Sequence, residues 1–109
     1  MSTTTPKIFG QAKPAAATPT TLFTVPGAST AQVNIYVANQ SSAIDRFNIE
    51  LIPSGQSPDD KQYIAYDTPL TGNGVFSVAG IALSGGDMVM VSTTSGNCSI
   101  TGTGLQFDP

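Results

Sequence analysis

Between Thr30 and Ile52 the chain reads TAQVNIYVANQSSAIDRFNIELI, two runs in which apolar and polar residues alternate. In the first, Ala31, Val33, Ile35 and Val37 alternate with Gln32, Asn34, Tyr36 and Ala38; in the second, Phe47, Ile49 and Leu51 alternate with Arg46, Asn48 and Glu50. A period of two is that of a β-strand with one face on a core and the other toward water. Two such strands joined by a polar connection share an apolar face that neither covers. A lone hairpin is marginal in water, so this face demands further strands or a partner.

The rest of the chain supplies them. Leu22–Val25 is a short strand closed by Pro26 and Gly27, since proline cannot donate to a ladder and glycine permits the reversal. Pro53–Lys61, PSGQSPDDK, is a polar connection. In Gln62–Asp67, Tyr63 and Ala65 fall on one face and Ile64 and Tyr66 on the other, a strand that is either central or at an interface. TGNG at Thr71–Gly74 carries the Asn-Gly turn signal, and Val75–Ile81 follows as a strand. LSGGD at Leu83–Asp87 turns again. Met88–Ser92 is apolar on successive residues, as in a strand covered on both sides. Cys98–Phe107 is the last strand, with Gly102 and Gly104 suggesting a bulge.

Seven or eight short strands with turn signals every 8 to 12 residues or so, and no helical period, predict an all-β fold: an antiparallel β-sandwich or jelly roll over residues 22–109. Residues 1–21 differ in character. Pro6, Pro14 and Pro19 interrupt them, and Ile8 and Phe9 are their large apolar groups. They read as an extended N-terminal arm, either a frayed tail or a tether anchored by Ile8 and Phe9 on its own domain or a neighbour.

With 109 residues, one core is expected. Only 10% of residues are charged against 39% hydrophobic, leaving a weakly charged surface that another protein can cover. A domain this small gains from oligomerisation. The net charge is −3, and the four basic residues Lys7, Lys13, Arg46 and Lys61 are scattered, which argues against nucleic-acid binding. No apolar run reaches the ~18 residues of a membrane span. The single cysteine, Cys98, and the lack of a signal-peptide pattern point to synthesis and assembly in a cytoplasm.

Histidine is absent, which removes Ser/His/Asp and Cys/His catalysis and the common zinc sites. Asp59 and Asp60 lack the alternating ligand spacing and terminal Glu of a calcium loop and read as a solvated turn. The seven acids sit mainly in turns, so neither an enzyme nor a cofactor is expected. Tyr36, Tyr63 and Tyr66 either line a sugar-stacking surface or serve as strand aromatics at an interface or in the core.

Four segments carry a resemblance: FGQAKP at Phe9–Pro14, TTLFTVPG at Thr20–Gly27, YIAYDTPL at Tyr63–Leu70 and LSGGD at Leu83–Asp87. Together they resemble small all-β virion proteins of tailed bacteriophages, over most of residues 8–107. Gly27-Ala28-Ser29 replaces the usual Gly followed by a basic residue, and Gln106-Phe107 replaces a terminal acid. The resemblance implies a virion structural role, foremost a capsid decoration (cement) protein bound between major capsid subunits, alternatively a tail, baseplate or fibre module. It also implies a homo-oligomer, by analogy a trimer. Partner contacts are then expected through Ile8, Phe9, Lys13, Pro14, Tyr36, Tyr63 and Tyr66. A host-surface carbohydrate-binding sandwich is a third possibility of a different class.

Overall fold

The computed structural model describes residues 2–109. Eight strands run in chain order as β1 (Thr3–Ala12), β2 (Thr20–Thr24), β3 (Thr30–Asn39), β4 (Asp45–Ile52), β5 (Tyr63–Leu70), β6 (Val75–Ser84), β7 (Met88–Thr93) and β8 (Cys98–Asp108). A single 3₁₀ turn, Asp60–Gln62, precedes β5 and is closed by a capping box between Asp59 and Gln62. The strands form two four-stranded sheets, ordered β1-β8-β3-β6 and β2-β7-β4-β5. All strand pairs are antiparallel. Two facing sheets in this order make a jelly roll.

The alternation of β3 is realised residue by residue: Ala31, Val33, Ile35 and Val37 are buried. β3 and β4 are nevertheless not a hairpin. They lie in opposite sheets, so their apolar faces cover each other across the core. The Asn-Gly turn likewise changes sheets, from β5 to β6, with Asn73 taking the positive φ of 57°. Of consecutive strands only β4 and β5 pair.

Of the alternatives open for the N-terminal segment, the structure shows docking on its own domain. Residues 3–12 are extended, but as β1, paired with β8 from Thr3↔Asp108 to Ala12↔Ile100. The sheet therefore begins well before residue 22. Proline density misleads here because Pro6 sits on an edge strand, where a missing N–H costs no ladder bond on the open side. The bulge expected at Gly102 and Gly104 is also displaced. β8 runs in continuous register with β3, and the irregularity falls on β1 between Ile8 and Gly10. The glycines instead allow close approach. A Cβ on Gly102 would stand 2.7 Å from Phe23 Cε1, and one on its register partner Gly10 would stand 2.1 Å from the Leu22 carbonyl oxygen.

Two aromatic pairs tie sheet to sheet. Phe9 of β1 meets Phe23 of β2 with ring centroids 5.1 Å apart, and Phe47 of β4 meets Phe76 of β6 at 4.9 Å. Between them the core is aliphatic: Ile35, Ile49, Ile100, Val33, Val37, Val89 and Val91. At one end of the sandwich, buried Asp45 accepts from the backbone N–H groups of Arg46 (2.8 Å), Ser95 (2.9 Å) and Asn97 (3.1 Å), and Cys98 Sγ lies 3.6 Å away. At the other end the Ser29 hydroxyl donates to Asp108.

Candidate partner-binding surface

The outer face of the first sheet is built by alternation. Where Val33, Ile35 and Val37 point inward, Gln32, Asn34, Tyr36 and Ala38 point outward, and the register aligns them with Leu105, Thr103, Thr101 and Ser99 of β8. On the flanks stand Pro6, Ile8 and Gln11 of β1 and Val75 and Ser77 of β6. None of these side chains is charged. In all four strands only Lys7 and Asp108 carry charge, and both alternate toward the inner side; Lys7 Nζ donates to Gln106 Oε1 at 2.9 Å and sits 5.3 Å from the Phe9 ring centre. Large apolar groups are exposed across this neutral face: Ile8 at 61%, Tyr36 at 43%, Val75 at 70% and Leu105 at 36%. An exposed apolar, charge-free sheet face is the kind of surface that binds protein.

A second feature lies on the outer side of the second sheet. The 53–62 connection folds back over β4 and β7, leaving a hollow of about 250 Å³ with Glu50 and Met90 among its lining, flanked by Pro19 and Pro58 and bordered by Asp60 and Tyr63. A broader hollow of about 450 Å³ adjoins it between Asp60, Tyr63 and Tyr66. The two tyrosine rings meet edge to face, with centroids 4.8 Å apart. Successive strand residues point to opposite faces, and the β5 register break between Tyr63 and Ala65 brings the two tyrosines to one side.

Glu50 alternates toward solvent in the sequence but is only 8% exposed, because the connection covers it. Burial raises its pKa above the ordinary value of 4.5; Asp60 adds to the rise and the Tyr63 hydroxyl opposes it. A carboxyl whose pKa is raised by folding binds its proton more tightly in the folded state. Its contribution is therefore full below the unfolded-state value and is lost as pH rises through the folded value. Glu50→Gln is expected to raise the unfolding midpoint at pH 7, with the gain disappearing as pH falls to about 4 and below. Thermal melts of both proteins across pH check it.

The seven sequence-derived contact residues do not form one site. Ile8 and Tyr36 share the outer face of the first sheet. Tyr63 and Tyr66 sit together on the edge strand of the second, and Tyr66 is 69% exposed. β5 is thus an edge strand rather than a central one. Phe9 is half-buried against Phe23 and the core, Pro14 is buried, and Lys13 is exposed in the β1–β2 connection. The Met residues of β7 are half-buried on its outer face while Val89 and Val91 enter the core. Leu105 and Val75 complete the neutral face. Their signal was the alternation of β6 and β8, legible only with register in hand.

Cys98 is buried, and burial with the neighbouring Asp45 carboxylate pushes its thiol up to about 11, so it is a neutral thiol at physiological pH. Among the described residues, no group of three or more His, Cys, Asp or Glu side chains is placed to hold a metal ion. No helix among them is long and apolar enough to cross a membrane.

No protein-family model matches this chain, and no curated protein does. Among solved structures it is similar to a chain in the structure of infectious bursal disease virus Gx strain. The two are 15% identical with a TM-score of 0.50, over 98% of this chain and 31% of the other. This chain thus spans less than a third of its neighbour's length, and at that identity the likeness is one of fold.

Proposed function

We propose that this protein is a structural component of a virus particle. In its specific form it is a decoration protein of a tailed-phage head, assembled in the host cytoplasm and lying across seams between major capsid subunits. The observation that carries the reading is the uncharged outer face of the first sheet, with Ile8, Tyr36, Val75 and Leu105 exposed on it. The jelly-roll strand order supports it, since that fold recurs in capsid domains and a chain of a virus structure shares it. A jelly roll also serves lectins, so the fold alone carries no function.

The mechanism is linkage. A protein that binds only the assembled shell stabilises it by RT ln(1 + [L]/Kd) per site, and many sites act together, so modest affinity for each suffices. No reaction is involved. Purified protein added to expanded shells that lack it is expected to bind and to raise their melting temperature, and Tyr36→Lys is expected to weaken binding at least tenfold. Failure of the unaltered protein to bind any such shell sinks the head assignment. A tail, baseplate or fibre module would instead bind a tail protein and occur at a handful to tens of copies per particle.

The Tyr63–Tyr66 pair beside a hollow favours a second reading, stacking on a host-surface sugar. Retention on a glycan array, lost on Tyr63→Ala, would mark it.

A further inference from the structure

Of the seven acidic side chains, five are answered by the fold. Asp45, Asp59 and Asp87 accept backbone N–H groups, Asp67 pairs with Arg46 at 3.4 Å, and Asp108 accepts from Ser29 and Gln106. Glu50 and Asp60 are the remainder. Among the described residues neither forms an ion pair, and Lys61, beside Asp60 in the chain, is exposed and forms none either. The Tyr63 hydroxyl bonds to Glu50, but a hydroxyl does not cancel a charge. Both carboxylates line the hollow of about 250 Å³ over the second sheet, and Glu50 does so from a position only 8% exposed. They are also close enough to repel each other. A buried charge without a counter-charge costs stability until something supplies one.

We infer that this hollow receives an arginine side chain presented by a protein partner, its guanidinium held between Glu50 and Asp60 beside the Tyr63 ring. The lining matches each part of such a side chain. Pro19, Pro58 and Met90 offer apolar walls to the methylene stem. The two carboxylates supply the missing counter-charge for a planar fork of N–H donors. Tyr63 and Asp60 border the adjoining hollow as well, where the edge-to-face Tyr66 adds a second ring against which a flat cation can lie. A lysine ammonium would satisfy the charge but lacks the fork and the flat face, and it is more strongly hydrated. A neutral sugar would stack on the tyrosines and leave Glu50 uncompensated. A hard metal ion needs more oxygen ligands than the hollow gathers, since no group of three acidic side chains is placed to hold one among the described residues. The inference competes with the sugar reading of the same hollow and stands apart from the virion assignment, which rests on the opposite sheet.

The test is a titration of the full chain, followed by its backbone amide NMR spectrum, with the capped tripeptide acetyl-Gly-Arg-Gly-amide at millimolar concentrations. Three further probes run beside it: the lysine peptide, the citrulline peptide, which keeps the shape of arginine but carries no charge, and methyl glucoside. The arginine peptide is expected to give saturable shifts around Glu50, Asp60 and Tyr63, the lysine peptide weaker binding, and the citrulline peptide none. Glu50→Gln and Asp60→Asn are each expected to weaken arginine binding by about tenfold, the scale of losing one hydrogen bond to a charged group. Absence of a saturable shift overturns the inference, as does equal binding of the citrulline or lysine peptide, or an affinity indifferent to both variants. Should a variant fail to fold, the comparison of arginine with citrulline decides on the unaltered chain. Binding of methyl glucoside in place of arginine overturns this inference in favour of the sugar. Shell binding by a chain that ignores the arginine peptide would leave the virion reading intact and remove this one.

Discussion

Replacing Phe47 by alanine is expected to lower the unfolding free energy by about 3–5 kcal/mol, the range for deleting a fully buried aromatic ring. Phe47 is completely buried and meets Phe76 of the opposite sheet at 4.9 Å between centroids. The loss has two parts: the transfer free energy of the ring, and the contacts forfeited by Phe76 and the aliphatic core around the cavity left behind. The sheets are each held by their own ladders and cannot readily collapse into that space. Total stability of a domain is only about 5–15 kcal/mol, so this single change would remove a large share of it. Urea unfolding of the two proteins gives the difference. Phe47→Leu, which keeps most of the volume, is expected to cost clearly less.

Asp45→Ala is the second large effect, and it comes from polarity rather than volume. The carboxylate accepts backbone N–H groups of Arg46, Ser95 and Asn97, joining the start of β4 to the turn between β7 and β8. Alanine would leave these part-buried donors without their acceptor, at ~1–3 kcal/mol for each that stays unsatisfied, so a loss on the order of 4 kcal/mol is expected. Asp45→Asn keeps one acceptor oxygen and should fall between. The pH dependence identifies the cause. Burial by itself would raise the Asp45 pKa, but the three backbone donors and the Cys98 thiol outweigh it and hold the carboxyl below 3.8. A depressed carboxyl contributes stability that is full above the unfolded-state value and is lost as pH falls through the folded value. The gap between the unaltered protein and Asp45→Asn should therefore be widest near neutral pH and narrow in acid. A gap independent of pH would show that the charge plays no part.

How much of this was legible beforehand varies with the residue. The inward sets of β3 and of the start of β8 follow from residue type and a period of two, and the turn positions from glycine, proline and asparagine, whereas in β7, apolar on successive residues, only the structure separates inward Val89 and Val91 from the half-buried methionines. Glu50 illustrates the opposite case. Its place in the alternation marks it as solvent-facing, yet the 53–62 connection, itself an ordinary polar loop in sequence, folds over it and raises its pKa. Tyr63 and Tyr66 have opposite parity and come together only because the β5 ladder slips. The N-terminal segment shows the same limit. TTTPKIFGQA looks like a tether until β8 offers it an edge, at which point its backbone groups find partners and Phe9 finds Phe23.

The sequence by itself determined that this chain is all-β, where β2 to β8 lie within a few residues, and which side chains of β3 point inward. Those properties are local, written in period-two alternation and in the few residues that permit a reversal. Only the tertiary structure decided which strands are neighbours: β1 with β8, β3 split from β4, β5 and β6 left as the edges on one side of the sandwich. Ladder hydrogen bonds join main-chain groups that nearly every residue carries, so pairing leaves almost no trace in residue type. It is settled by which arrangement closes both sheets over a single core, and with it is settled the neutral outer face.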